Sequence, residues 1–385
     1  MMKSLYQGIV CLFLIGGSGV AMSLETVEEA RITLAQAALP EVLNQLAPQL
    51  DLLRNRLADI VTKAELHEVV RDAGQGLWLS ARQQVDAGRT YDDRSLYWNR
   101  LKATYLLRNY APDFDLTETQ RMHVIEEFEL ASRGYDDLVY SGTSDLQIFI
   151  TGFDPFHLDR RIAQSNPSGV AVLKLSGRTI QQGGLRAEIR GVTIPVRYTD
   201  FDDGEIEALL NQVYDEDVVD MLVTISMGRN QFDLERFPGR RRSSSALGNL
   251  NEHTGASEMK PQIPLLEGRP LAGPEFVEFS LPAAAMTRAA GAYTVRDNRK
   301  VATLEGAMSA ASLAELADHI AVRGSGGGYL SNEISYRSIR LRNELGSGIP
   351  TGHIHTPSIS EFSAEDLKQV VDQIEAMLAQ ALPVL

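Results

Sequence analysis

Two short runs of apolar, largely β-branched residues constrain the fold most: LQIFITGF (Leu146 to Phe153) and VVDMLVTISM (Val218 to Met227). Runs of this length and composition suit strands buried within a sheet. VTIPV (Val192 to Val196) reads as a further strand, and a helix is expected from about Asp203 to Val213. Phe276 to Leu281 reads as a strand leading into a helix at Pro282, and HIAVRGS (His319 to Ser325) as a strand leading into a glycine turn. A helix follows from Tyr329 to about Arg342, then a short strand, GHIHTP (Gly352 to Pro357), and a helix capped by Ser363 that runs through Gln380. Strands alternating with helices predict an α/β fold, three-layer α/β/α around a central twisted sheet. The polar stretches 238–272 and 291–305 read as loops.

Upstream, residues 24–143 read as an all-helical N-terminal extension. Apolar residues recur there at three- and four-residue spacing, and Pro40 and Pro48 break the pattern into pieces. Thr117 with Gln120 makes a capping-box pattern. Both tryptophans, Trp78 and Trp98, fall in this region, and its aromatic and leucine stripes read as core. Residues 1–23 read as a secretory signal: Lys3, then the apolar run Ile9 to Ala21 with small residues at its end. That run is too short and glycine-rich for a comfortable transmembrane helix. The expectation is an exported protein, periplasmic or secreted, with no stable membrane insertion after cleavage. Cys11 is the only cysteine, so the cleaved chain would hold no disulfide, cysteine-ligated metal or cysteine nucleophile. A net charge of −14 argues against a nucleic-acid partner, which requires a concentrated basic face. The region 144–385 is expected to carry the chemistry.

That chemistry centres on GGGYLSNEISY, Gly326 to Tyr336. Glycines permit a tight turn, and Ser331 and Asn332 sit where a helix begins. A side chain there lies near unpaired backbone N–H groups and the positive end of the helix dipole, which favour a developing oxyanion. Two other segments supply partners for such a serine: GRNQFDLER (Gly228 to Arg236) contains Glu235, and GHIHTP contains His355. A histidine can take a proton from a nucleophile and return it to a leaving amine, and a carboxylate can fix its tautomer. Taken singly, each residue also has a plain reading: Ser331 as a helix cap, Glu235 as a surface charge, His355 as a buried strand histidine. His353 and His355 share one strand face, but no further ligand cluster accompanies them. No metal and no cofactor is expected.

Four motifs, in order, resemble the pyroglutamyl peptidase I (pyrrolidone-carboxylate peptidase) family: TGFDPF (Thr151 to Phe156) with NPS (Asn166 to Ser168), GRNQFDLER, SGGGYLSN (Ser325 to Asn332) and GHIHTP. The resemblance covers about residues 146–385 and says nothing of the first 145. It implies a hydrolase that removes an N-terminal pyroglutamyl residue from peptides through a Cys-His-Glu triad. Carried over, Ser331 stands at the nucleophile, His355 at the general base and Glu235 at the residue that orients it. Phe153 and Phe156 match residues that line the family's lactam pocket. With Tyr329 and Leu330 they are the expected substrate-binding side chains. The implied partner is a peptide with a blocked N-terminus, and a homo-oligomer is the assembly the resemblance implies.

The departures from the pattern fall at functional positions. His157-Leu158 replaces the family's glycine pair, and an insert precedes Asn166. Ile225 stands at the position of a lactam-contacting glutamine, and Pro238 to Asn249 replaces an asparagine-rich segment. Serine replaces the nucleophilic cysteine at Ser331. A thiol with a pKa of about 8.5 is readily lowered by histidine and a helix N-terminus. A hydroxyl is not, and must lose its proton to His355 during attack. The expected function is therefore a Ser/His/Glu version of the peptidase. The alternative is a non-catalytic exported peptide-binding or interaction protein that keeps the fold.

Overall fold

The computed structural model describes residues 25–88, 90–215, 218–360 and 362–385; the expected signal segment, residues 1–23, lies outside them. The N-terminal part is helical, with α1 (Ile32–Ala38), α2 (Pro40–Asn44), α3 (Ala47–Ala58), α4 (Lys63–Asp86), α5 (Arg94–Arg108) and α6 (Glu118–Ser132). Pro40 and Pro48 lie in the first turns of α2 and α3, where a missing N–H costs no helical hydrogen bond. Thr117 and Gln120 form the expected capping box on α6, and Thr62 with Glu65 forms another on α4.

The remainder forms a seven-stranded mixed sheet. In chain order its elements are β1 (Leu146–Phe153), α7 (Pro167–Leu175), β2 (Thr179–Gln182), β3 (Leu185–Ile194), α8 (Tyr198–Asp202), α9 (Glu205–Asp215), β4 (Met221–Met227) and β5 (Phe232–Glu235). A small hairpin, β6 (Leu265–Leu266) and β7 (Arg269–Pro270), precedes α10 (Ala283–Met286) and β8 (Val295–Asn298). Then come β9 (Lys300–Thr303), β10 (Gly306–Ser309), β11 (Ala321–Arg323), α11 (Leu330–Leu345), β12 (Thr351–Thr356) and α12 (Ala364–Ala381). The large sheet has the order β2-β3-β1-β4-β12-β5-β8, and a separate sheet has the order β10-β9-β11. β3, β1, β4 and β12 run parallel, while β5 is antiparallel to β12.

Alternation along the strands builds the three expected layers. On β4, Met221, Val223 and Ile225 face a core formed with α7 and α12, while Leu222 faces one formed with α9 and α11. The first core continues into the N-terminal helices, through Leu50, Leu77 and Trp78. Helical region and sheet therefore bury apolar surface against each other.

Four segments differ from expectation, one of them the stretch 238–272, read as loop, which holds the β6–β7 hairpin. Phe276 to Leu281 is not a strand of either sheet; its backbone runs beside residues 236–239 through Val277 N to Pro238 O and Phe279 N to Arg236 O. Stretch 291–305 is not loop but contains β8, a polar strand at the edge of the large sheet, and β9, the middle strand of the small one; neither carries the strong apolar alternation of a core strand. β11 is the expected strand before the glycine turn, yet it belongs to the small sheet.

The helical region also grips the motif loops electrostatically. α5 is buried nearly all round, Arg100 included. The Arg100 guanidinium donates to Asp154 Oδ1 at 2.9 Å, to Ser132 Oγ at 3.0 Å and to Ser132 O at 3.1 Å. Arg133 donates to the same carboxylate, at 2.6 Å from Asp154 Oδ2. Burial alone would raise the Asp154 carboxyl; Arg133 and Arg100 outweigh it and hold it below the usual range. Asp93, preceding α5, accepts from Ser165 Oγ at 2.6 Å and from Asn166 N. Leu158 packs with Tyr97, Trp98 and Leu101, so the residue replacing a family glycine is an anchor for the helices.

Removing one member of such a buried group leaves charge unpaired, so Arg100→Ala should destabilise the protein by about 3 kcal/mol in a denaturant titration. The folded pKa of Asp154 lies below its unfolded value. Its contribution is complete above about pH 4 and is lost as pH falls through the folded value, so the gap between native and variant should narrow in acid.

Candidate functional site

The site forms where the parallel strands β1, β4 and β12 end and the turn before α11 meets them, the usual location for ligands in open α/β sheets. In β12, His353 and His355 alternate to one face. Register pairs Ile354 with Leu234 and His355 with Asp233. The shared pleat brings Glu235 of β5 to the same face, and Glu235 Oε1 lies 2.5 Å from His355 Nδ1. Glu235 is buried, and its other oxygen accepts from Asn298 Nδ2 at 2.9 Å. Burial pushes the Glu235 carboxyl upward against the pull of His355. With Nδ1 held by a carboxylate, the neutral imidazole carries its proton there and leaves Nε2 as the basic nitrogen.

His353 is a support, not a ligand. Its Nδ1 lies 2.8 Å from Thr224 Oγ1 and its Nε2 2.7 Å from Ser226 Oγ, so both nitrogens are engaged. Burial, and then the neighbouring His355, depress its pKa well below the ordinary value and keep it neutral. Its ring meets the His355 ring edge-on at 4.8 Å between centroids. Gly228 is required beside it, since a Cβ there would lie 2.7 Å from His355 Cβ.

The turn Gly324–Gly328 delivers the chain into α11. Gly327 adopts φ +94°, a conformation open mainly to glycine. The N-cap is Tyr329, and Ser331 is the second helical residue, not the cap. Asn332 clamps the turn through Gly239: its Oδ1 accepts from Gly239 N at 3.0 Å and its Nδ2 donates to Gly239 O at 2.7 Å. Ser331, half-buried, lines a cleft of about 380 Å³ together with Glu235 and His355. Its own hydroxyl donates to Gly326 O at 3.4 Å.

The four residues expected at the substrate all line one narrow slot beside Ser331. Phe153, Phe156, Tyr329 and Leu330 share it with Ser226 and Met227. Phe156 and Tyr329 are 6.5 Å apart between centroids, and Tyr329 OH is fixed by Leu247 O at 2.7 Å. Ile225, read at the position of a lactam-contacting residue, instead points into the core beneath the sheet. Ser226 and Met227 occupy the slot wall.

Three cleft residues escaped the sequence reading. Asn298 joins Glu235 to the turn by also donating to Ser325 O at 3.0 Å, but it lies in a stretch read as loop. His157 lines the cleft with φ +61°, so it keeps the backbone form of a glycine while adding a ring. Positive φ at a non-glycine residue is uncommon, and the glycine-to-histidine departure was its one signal. Ser243, buried at the cleft wall, has a hydroxyl with no partner among the described residues. It follows the arginine run, where sequence offered no reason to single it out.

The model of the PA0049 N-terminal domain matches residues 18–129, and that of the PA0049 C-terminal domain matches residues 147–276 and 294–360. A relative from Pseudomonas aeruginosa, described as uncharacterized protein PA0049, is 28% identical over 395 residues, covering 79% of this chain and 71% of its own. Among solved structures, two mutant forms of pyrrolidone carboxyl peptidase from the hyperthermophile Pyrococcus furiosus are similar at 19% identity. They cover 62% of this chain and 100% of theirs, with a TM-score of 0.42.

The Glu235–His355 contact makes a spectroscopic prediction. In ¹⁵N-histidine-labelled protein, neutral His355 should show a protonated Nδ1 and a bare Nε2. Glu235→Gln can present an amide donor to Nδ1 and should shift the proton to Nε2. His353 should stay neutral through the range in which an ordinary imidazole gains its proton, because burial depresses its pKa.

Proposed function

The chain belongs to the PA0049 family, and from that premise and the geometry around His355 we propose a serine hydrolase that removes a blocked, pyroglutamyl-type residue from peptide N-termini. The observation that carries the reading is the 2.5 Å Glu235–His355 contact in the same cleft as Ser331. In this reading Ser331 Oγ attacks the scissile carbonyl while His355 Nε2 accepts its proton. The same nitrogen returns that proton to the leaving amine, and water then hydrolyses the acyl ester by the reverse relay. Glu235 stabilises the imidazolium that forms between these steps. Backbone N–H groups in the first turn of α11 lack helical partners and favour the oxyanion. The slot of Phe153, Phe156, Tyr329 and Leu330 is apolar, as a flat, uncharged ring requires, but at about 30 Å³ it must widen to admit one.

One observation favours a second reading, a non-catalytic exported peptide binder. Ser331 Oγ makes its hydrogen bond to Gly326 O, so attack requires the hydroxyl to swing toward His355. Export itself rests on the run Ile9 to Ala21, and cell fractionation tests it.

A fluorogenic pyroglutamyl amide separates the two readings. Native protein should exceed Ser331→Ala in kcat/KM by on the order of a thousandfold or more. Activity confined to Ser331→Cys would sink the serine enzyme and favour the binder.

A further inference from the structure

The cleft does not end at the triad. On the side away from the aromatic slot it opens into a groove of about 580 Å³ between the β5–β8 edge of the large sheet and the small sheet. The slot and the cleft share Phe156, Met227, Tyr329 and Ser331, whereas the cleft and the groove share Arg229, Asp233, Asn298, Arg323, Ser325 and Gly327. Slot and groove have no lining residue in common. Ser331 thus sits at the junction nearest the slot, and the groove is the path open to the chain beyond a bond cleaved there.

The groove's charge is opposite to that of the protein. Arg229, Arg296, Lys300 and Arg323 line it against one carboxylate, Asp233, in a chain whose net charge is −14. Asp233 is already bound at both oxygens by Arg296, at 2.8 and 3.0 Å. Arg323 pairs at 3.0 Å with Glu258, both well exposed to water, and such a pair contributes little and yields easily to another anion. Lys300 is exposed. Two cations, Arg323 where the groove meets the cleft and Lys300 beyond it, are therefore available to a ligand.

We propose that this groove binds carboxylates on the leaving side of the substrate, so that the preferred peptides are acidic after the scissile bond. This rests on the proposed reading of the slot as the seat of the N-terminal residue. An acidic side chain or a free C-terminal carboxylate would meet Lys300 and Arg323 as charge-assisted hydrogen bonds, which are stronger than neutral ones.

The test uses full-length Ser331→Ala protein, so that binding is read without turnover. Fluorescent probes carry an N-terminal pyroglutamyl-alanyl unit followed by two glutamates, two glutamines or two lysines. The glutamate probe should bind about tenfold more tightly than the glutamine probe, with the lysine probe weakest. Added salt should shrink the difference. Combining Lys300→Glu with Arg323→Glu should abolish or reverse the order, with unchanged thermal unfolding as the control for folding. Equal affinity for glutamate and glutamine probes, no binding of any probe, or a preference that survives the charge reversal would each overturn the proposal. An N-acetyl series distinguishes the two readings. Acidic preference there, at the same affinity as the pyroglutamyl series, upholds the groove while removing the lactam assignment of the slot.

Discussion

The placement of Asp154 between Arg100 and Arg133 is the constraint on which the rest of the architecture turns. Asp154 follows Phe153 directly, at the end of β1, and its carbonyl accepts from Asn166 Nδ2 at 2.9 Å. The loop that carries the slot aromatics is thus tied at one residue to α5, to the end of α6 and to the cap of α7. A buried ion group adds little net stability compared with an apolar one of the same volume, but it is costly to break and exacting in geometry. Its worth here is specificity of placement. The helices cannot slide across the loop without leaving three charges unpaired. The neighbouring contacts repeat the pattern: Arg31 bridges Asp159 and the carbonyl of Asn249, and Arg197 joins Glu28 to Glu129. Segments 157–165 and 238–249 receive part of these contacts, through Asp159, Ser165 and Asn249.

Beneath that clamp, the Glu235–His355 geometry follows from sheet pairing. β5 enters antiparallel to β12, and this fixes which face Glu235 presents. A one-residue slip would send Glu235 to the opposite face, away from His355. Register is held by Leu234 and Ile354, fully buried in the core opposite, so apolar packing on one side of the sheet secures an ionic contact on the other. Asn298 adds the last restraint by joining the carboxylate to the glycine turn from an edge strand.

How much of this the sequence displayed varies with physical cause. Strands β1, β4 and β12, helices α11 and α12 and the capping box on α6 are written in apolar runs and cap residues, which report local structure directly. The residues that line the slot and the cleft were legible because they stand in short, recognisable motifs. β8 was not, because an edge strand with half its residues in water carries little alternation. Arg100 was invisible for a different reason. A lone arginine on a helix reads as a solvated charge, and only the fold brings Asp154, 54 residues later, to meet it. Asn298 and Ser243 likewise acquire meaning only from what tertiary packing places opposite them.

The surviving question at Ser331 concerns work that sulfur and oxygen require of the same surroundings. A thiol can ionise before substrate arrives, and then the histidine is already charged. A hydroxyl stays protonated, so imidazolium and oxyanion must appear together during attack. That shifts the burden onto groups that stabilise charge only then: the carboxylate on Nδ1 and the backbone N–H groups at the helix start. Both are present. Glu235 is buried with its two oxygens occupied, so it needs no reorganisation when His355 becomes cationic. His353, kept neutral chiefly by burial, places no competing positive charge beside it. The electrostatics around His355 therefore suit serine chemistry. In the proposed serine reading, the Ser331 hydroxyl must leave Gly326 O for the imidazole.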